Sequence, residues 1–331
     1  MEQTFDVTAL QYPFPCATNP HAAEVESKIG GWIKAHYDFL PEKVKKKYMH
    51  TGVGLAAGCM FPRADIHQLT AICRFYLWAF IVDDSFEYAS VEEIHRIQDK
   101  SMPVLKGHDV LPDSALNHQL LILRRELMMF ASESWMNRFC RNLEFYFEGV
   151  VMEIPYRKDL CFPSFETFYD IRERSVNVHP LVNLAEAITG ISLPDNIAYH
   201  PVMQEIAQLT CRILACCNDL LSAFLEKGHD VLNLVLMLEH NKKCSLKEAY
   251  HEALQIHDKD VTRMWELKNN LPDFGIYTET VNAYIENLEL MIRGHLYWTQ
   301  LYTERYKSNN GHPSGELKAD QLKVDQLKIT V

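Results

Sequence analysis

Residues 83–87 read Asp83-Asp84-Ser85-Phe86-Glu87 and follow directly on the apolar run Phe75-Tyr76-Leu77-Trp78-Ala79-Phe80-Ile81-Val82. The run holds neither Gly nor Pro and reads as a buried helix. On a helix, Asp83 and Glu87 lie four residues apart and share a face. Two carboxylates at the end of a greasy helix repel each other and are costly to bury. A hard cation between them removes the conflict, since Mg²⁺ takes oxygen ligands and keeps several waters. A solvated acidic helix end is the plain alternative for this motif alone; the aromatics upstream favour a carboxylate rim above an apolar cavity. A second stretch, Asn218-Asp219-Leu220-Leu221-Ser222-Ala223-Phe224-Leu225-Glu226, also sits in a helical pattern. Asn218, Ser222 and Glu226 fall at i, i+4 and i+8, one stripe down one face. Amide, hydroxyl and carboxylate oxygens are all hard donors suited to Mg²⁺.

The elements that must position these groups are helical throughout. Residues 1–20 are punctuated by Pro13, Pro15 and Pro20 and read as an extended strap. His21–Leu40 is helical, with Ile29, Ile33 and Tyr37 on one stripe, and Pro41–Phe61 forms a shorter helical region. Helices follow over Ala64–Tyr88, from the capping box Ser90-x-x-Glu93, over Asp113–Ser132 and over Glu133–Ile154. Pro163-Ser164 opens the next, and His179-Pro180 should break or kink it because Pro lacks a backbone donor. A long helix starts at His200 or Pro201 and ends near Lys227, and residues 229–240 form a short apolar helix. Ser245-x-x-Glu248 opens a helix over Leu246–Leu271, and the last runs from Tyr277 to Tyr306. The tail from Ser308 is a breaker cluster followed by the near-repeat Leu317-Lys318-Ala319-Asp320-Gln321 and Leu322-Lys323-Val324-Asp325-Gln326. The expected fold class is all-α, a single-domain helical bundle with its site in the core. The expected divisions are a strap over 1–20, the bundle over 21–307 and a flexible tail over 308–331.

Composition narrows the function. A net charge of −11 argues against a nucleic-acid partner. No stretch approaches the roughly 20 apolar residues of a membrane span, and the N-terminus has no signal-peptide pattern. Nine cysteines without a C-x-x-C point to a reducing, cytoplasmic setting rather than a disulfide framework. A homodimer is left open.

The two motifs, in this order and in a chain of this length, resemble those of the class I terpene synthases (terpene cyclases), of the single-domain microbial type. Asp83 through Glu87 looks like the aspartate-rich motif, and Asn218 through Glu226 like the second metal motif. The resemblance extends to Arg172, 46 residues before Asn218, at the position of a diphosphate-sensing arginine, and to Arg305-Tyr306, which follow Trp298. It implies magnesium, three ions in the family, bound by Asp83, Glu87, Asn218, Ser222 and Glu226. It also implies that Arg172, Arg305 and Tyr306 hold the diphosphate of a linear prenyl diphosphate, and that the product is a cyclised terpene or terpene alcohol. Asp84 points about 100° away from Asp83 and is expected to bond an arginine. The cation left after ionisation needs a dry cavity, and Phe80, Trp78 or Trp298 would stabilise it by cation–π contact. Ala79, Leu214 and the helix-break residue Val176 complete the expected substrate-binding set.

The sequence departs from the family in two places. Leu225 stands where relatives often carry Lys, and Lys227 lies about 200° further round the helix. Ser175-Val176-Asn177 stands where many relatives have Gly. Chain length of the substrate is near even between farnesyl (C15) and geranylgeranyl (C20) diphosphate. Base rate favours C15; the small Ala79, four residues before Asp83, leans slightly to C20. A chain-elongating prenyl diphosphate synthase would need a second aspartate-rich motif in place of the Asn-Ser-Glu stripe. A non-enzymatic helical lipid-binding protein would need neither motif.

Overall fold

The computed structural model describes residues 10–87 and 89–305. Its helices are α1 (Ala22–His36), α2 (Glu42–Thr51), α3 (Val53–Met60), α4 (Ile66–Phe86), α5 (Val91–Leu105), α6 (Ala115–Leu127), α7 (Glu133–Asp159), α8 (Phe165–Ser175), α9 (His179–Ala187), α10 (Asp195–Ala198), α11 (Pro201–Glu226), α12 (Leu234–Lys242), α13 (Leu246–Asn269) and α14 (Thr278–Leu301). No strand occurs among the described residues, so the all-α expectation holds; Lys227 and Asp230 form an isolated bridge in a loop.

Helix starts follow local chemistry. Ser90 with Glu93 and Ser245 with Glu248 form the two expected capping boxes, and Asp65 with Gln68 adds a third at the start of α4. Each satisfies two donors that a helix N-terminus leaves orphaned. Ile29, Ile33 and Tyr37 are all fully buried, as the stripe requires.

Several boundaries differ from the sequence reading, each for a local reason. The region 41–61 is two helices, split at Gly52, whose φ of 70° is left-handed. α7 does not stop before Pro155 but runs through it to Asp159. The break after α8 comes before His179-Pro180: Asn177 adopts φ 57°, and Pro180 lies in the first turn of α9, where its missing N–H costs nothing. The last helix ends at Leu301, so Arg305 lies beyond it on a turn. The short apolar helix begins at Leu234, later than expected, because Asn233 caps it.

α7 packs against α5, α8 and α9; α11 packs against α8, α12, α13 and α14; α3 joins α1, α4 and α14. The α7–α8 approach is close at Gly149, where an added Cβ would sit 2.4 Å from Arg174 Cβ and 2.6 Å from the Ser175 nitrogen. Side-chain bonds link these elements pairwise: α7 to the end of α4 and to the loop after α11, α8 to α11, and the turn after α14 to α4.

Candidate active site

The two aspartates at the end of α4 have different surroundings. Asp84 is 2% exposed. Its carboxylate accepts from both terminal nitrogens of Arg305, at 2.5 and 3.1 Å, and from the Tyr48 hydroxyl at 2.6 Å. Asp83 is exposed, yet protein crowds it enough that burial, and then the charge of Asp84, raise its pKa. Both hold for a carboxylate on the wall of a recess. Its Oδ1 accepts from the Tyr146 hydroxyl of α7 at 2.8 Å. Glu87, one turn on, is half-buried, and its buried Oε2 has no hydrogen-bond partner among the described residues.

Apolar groups precede each motif along α4 and α11. The Arg305 guanidinium lies 4.8 Å over the Phe80 ring, and Phe80 stands 6.2 Å from Trp298. Trp298 is anchored by its N–H donating to the Gly52 carbonyl at 3.0 Å. Ala79 is half-buried against the core; Trp78 and Leu214 are buried in it. Leu214 lies one turn before Asn218 on α11.

The second motif is assembled by α11 and the loop after it. Ser222 donates its hydroxyl proton to the Asn218 carbonyl at 2.9 Å and accepts from the Asn233 amide at 3.3 Å, leaving one oxygen lone pair. Glu226 is crowded: burial first, then the charges of Asp230 and Asp219, push its pKa up to about 7. Arg172, in the last turn of α8, donates to Asp219 at 2.5 Å and to Asn218 Oδ1 at 3.2 Å. Burial works against the Arg172 charge, but Asp219 outweighs it and the guanidinium stays protonated. Val176 is the residue at which α8 ends, its N–H bonded to the Arg172 carbonyl. Tyr306 lies outside the described residues.

Several groups at the site went unnoticed in the sequence. Tyr48 and Tyr146 each direct a hydroxyl at an aspartate of the first motif. Arg157, three turns along α7 from Tyr146, pairs with Glu153 at 2.9 Å and with Asp230 at 3.7 Å. Asn233 is wholly buried and bonds the second motif. Asp219 shared the motif but had no role; here its Oδ2 also accepts from the Leu234 N–H, tying α11 to α12. The one detectable signal was Asn233 as a capping residue before an apolar helix.

The donor set fits a divalent cation. It is oxygen throughout, carboxylates with an amide and a hydroxyl, which is the ligand chemistry of a hard metal. Asp83 and Glu226 have pKa values raised by burial and by neighbouring carboxylates, a conflict that a cation relieves. Among the described residues no three His, Cys, Asp or Glu side chains converge tightly enough to form a closed cluster.

A family model described as terpene synthase family 2, C-terminal metal binding, matches residues 74–263. Germacrene A synthase of Nostoc punctiforme is 27% identical over 91% of this chain and 94% of its own length. The (+)-T-muurolol synthase of Roseiflexus castenholzii, described as farnesyl diphosphate cyclizing, is 29% identical over 93% of this chain and 95% of its own. Germacradien-4-ol synthase from Streptomyces citricolor superposes with a TM-score of 0.76, covering 87% of this chain and 97% of that one at 21% identity, a likeness of fold. With more than half of its length matched by the family model, this chain belongs to the terpene synthase family, as a class I terpene cyclase of the microbial type.

Proposed function

We propose that the two oxygen-donor motifs, at the C-terminal ends of α4 and α11, together bind farnesyl diphosphate, a C15 chain, with magnesium, and that the protein cyclises it to a sesquiterpene. The observation that carries this reading is that an arginine already attends each oxygen-donor motif: Arg305 on Asp84 and Arg172 on Asn218 and Asp219. Guanidinium groups recognise phosphate oxygens in planar, bidentate fashion. Two of them, one at each motif, suit a diphosphate held between the motifs.

Asp83 and Glu87 would hold metal from the first motif, and Asn218, Ser222 and Glu226 from the second. Magnesium, when bound, supplies Lewis-acid charge to the leaving diphosphate without a proton. Tyr146 orients Asp83, and Tyr48 with Arg305 holds Asp84 turned away from the metal. Ser222 offers an oxygen lone pair because its proton is spent on the Asn218 carbonyl. Asn218 shares its Oδ1 with Arg172, so an anion that draws Arg172 away frees that oxygen for metal. Phe80, under Arg305 and 6.2 Å from Trp298, is the aromatic group near the first motif, and a desolvated cation over such a ring gains about 2 kcal/mol. Arg305, Tyr306 and Arg172 take the diphosphate; Ala79, Leu214 and Val176 shape the hydrocarbon end.

The C15 choice rests on the relatives, one of which is described as cyclising farnesyl diphosphate. The C20 alternative rests on the small Ala79, together with the modest bulk of Leu214 and Cys211 on α11. The test is to incubate the purified protein with magnesium and equal C15 and C20 diphosphates, and to identify the products by gas chromatography and mass spectrometry. Cyclic C15 products dominating would support the reading. Turnover of C20 alone, or products longer than either substrate, would overturn it; the second outcome would indicate chain elongation. No helix among the described residues is long and apolar enough to cross a membrane.

A further inference from the structure

We propose that Asn233, on the loop after α11, is a positioning residue that sets the metal affinity of the second motif. The inference rests on the reading of the site given above. Asn233 is 0% exposed and lies outside the Asn218–Glu226 stretch. Its side-chain amide nitrogen donates to the Glu226 carboxylate (Oε2) at 2.8 Å, to the Asp219 carbonyl at 2.9 Å and to the Ser222 hydroxyl oxygen at 3.3 Å. Its side-chain oxygen accepts from the Val235 and Leu236 N–H groups, capping α12.

The two ends of one side chain therefore have separate tasks. The oxygen fixes Asn233 to a rigid helix, and the nitrogen grips two of the three donors of the second motif. An amide carries two N–H protons, so the contacts at 2.8 and 2.9 Å are the principal bonds and the 3.3 Å contact to Ser222 is shared. Glu226 is held by Oε2, which leaves Oε1 to face a cation. Ser222 receives Asn233 on one lone pair and donates its proton to Asn218, which leaves one lone pair for a cation. Without this grip Glu226, at the last residue of α11 and beside Asp219 and Asp230, would swing away from its acidic neighbours. Groups that orient metal ligands in this way typically account for 10–100-fold in metal affinity.

Serine separates the two tasks. It caps a helix as well as asparagine does, but its hydroxyl sits one bond from Cβ and cannot reach Glu226 or the Asp219 carbonyl. The experiment uses the full chain with inorganic diphosphate and Mn²⁺ as the probe, bound manganese being read by electron paramagnetic resonance. Helix content and thermal unfolding are measured on the metal-free protein. For Asn233→Ser we expect unchanged helix content and a Mn²⁺ affinity lower by about 10-fold or more. Asn233→Thr, a second capping residue too short to reach, is read in the same way should the serine variant fail to fold. In a Glu226→Gln background, already weakened in metal binding, Asn233→Ser should lower affinity by less than about threefold further, because the two act through one ligand. Parent-like Mn²⁺ affinity in Asn233→Ser, or full additivity with Glu226→Gln, overturns the proposal alone. A parent chain that binds no Mn²⁺ with diphosphate overturns the reading of the site and this inference with it.

Discussion

Asp83→Asn and Asp84→Asn, one substitution at adjacent residues, should move stability in different directions. Asp84 and Arg305 are almost completely buried, at 1% and 5% side-chain exposure, and joined by two hydrogen bonds. Neutralising Asp84 removes the carboxylate charge that the buried guanidinium bonds twice, a change that costs about 3–5 kcal/mol. Unfolding entropy near 2.1 cal/mol/K per residue gives about 0.7 kcal/mol/K for a chain of 331 residues. Asp84→Asn should therefore lower Tm by roughly 4–7 °C. Asp83 is the opposite case, since its ionised form is already disfavoured in the folded protein by burial and by Asp84. Asparagine there keeps an oxygen for the Tyr146 hydroxyl and removes the repelling charge. Asp83→Asn should leave the Tm of the metal-free protein unchanged or slightly raised, while abolishing turnover. Replacing both partners, Asp84→Leu with Arg305→Met, should recover much of the loss, because an apolar pair leaves no stranded charge. The assay is thermal unfolding by circular dichroism in chelator at one scan rate. A drop below about 1 °C for Asp84→Asn, or equal drops for the two asparagine variants, would refute the division of labour.

Stability of the metal-free protein should fall as pH rises through about 7, because Glu226 titrates near that value when folded and near 4.5 when unfolded. The folded state then binds the extra proton between these values, so the stabilisation is complete below about 4.5 and lost above 7; Glu226→Gln should flatten that part of a urea-unfolding profile. Arg172→Ala should lower kcat/KM far more than Lys227→Ala, since Lys227 pairs with Glu239 at 2.7 Å on the exposed side of the loop; steady-state kinetics with farnesyl diphosphate decide it, and greater damage from Lys227→Ala would show that the second motif is misread. Ala79→Phe should depress any C20 turnover more than C15 turnover, overpacking costing about 1–3 kcal/mol; equal losses in product assays would show that Ala79 does not select chain length.

The bundle and both oxygen-donor stripes were legible because helical spacing is a local property. Asp83 and Glu87, or Asn218, Ser222 and Glu226, share a face whatever the rest of the chain does. Capping boxes were legible for the same reason, since Ser90 and Glu93 act within one turn. What was hidden depends on tertiary approach. Tyr48 lies 36 positions from Asp84, Tyr146 lies 63 from Asp83 and Arg305 lies 221 from Asp84. Nothing in a single sequence distinguishes a tyrosine whose hydroxyl reaches a carboxylate from one filling core volume. Pro155 misled because a proline usually ends a helix, whereas α7 continues beyond it. Asn177 misled in the opposite sense: asparagine tolerates the left-handed region and breaks the helix before the proline does.

Helix α7 carries both Tyr146, bonded to Asp83, and Arg157, paired with Asp230 on the loop beside Glu226. Eleven residues of helix separate them, a rise of about 16 Å. The distance between the two halves of the site is therefore a count of residues. One inserted residue between 146 and 157 would rotate Arg157 by about 100° and lengthen the span by about 1.5 Å, and Gly149 would lose its register against α8. Length variation in this chain is thus forbidden along one stretch of α7 and tolerable at surface connections such as that between α5 and α6. An engineer grafting new loops onto this bundle, or a lineage diversifying its product, has freedom in the walls and almost none in this spacer.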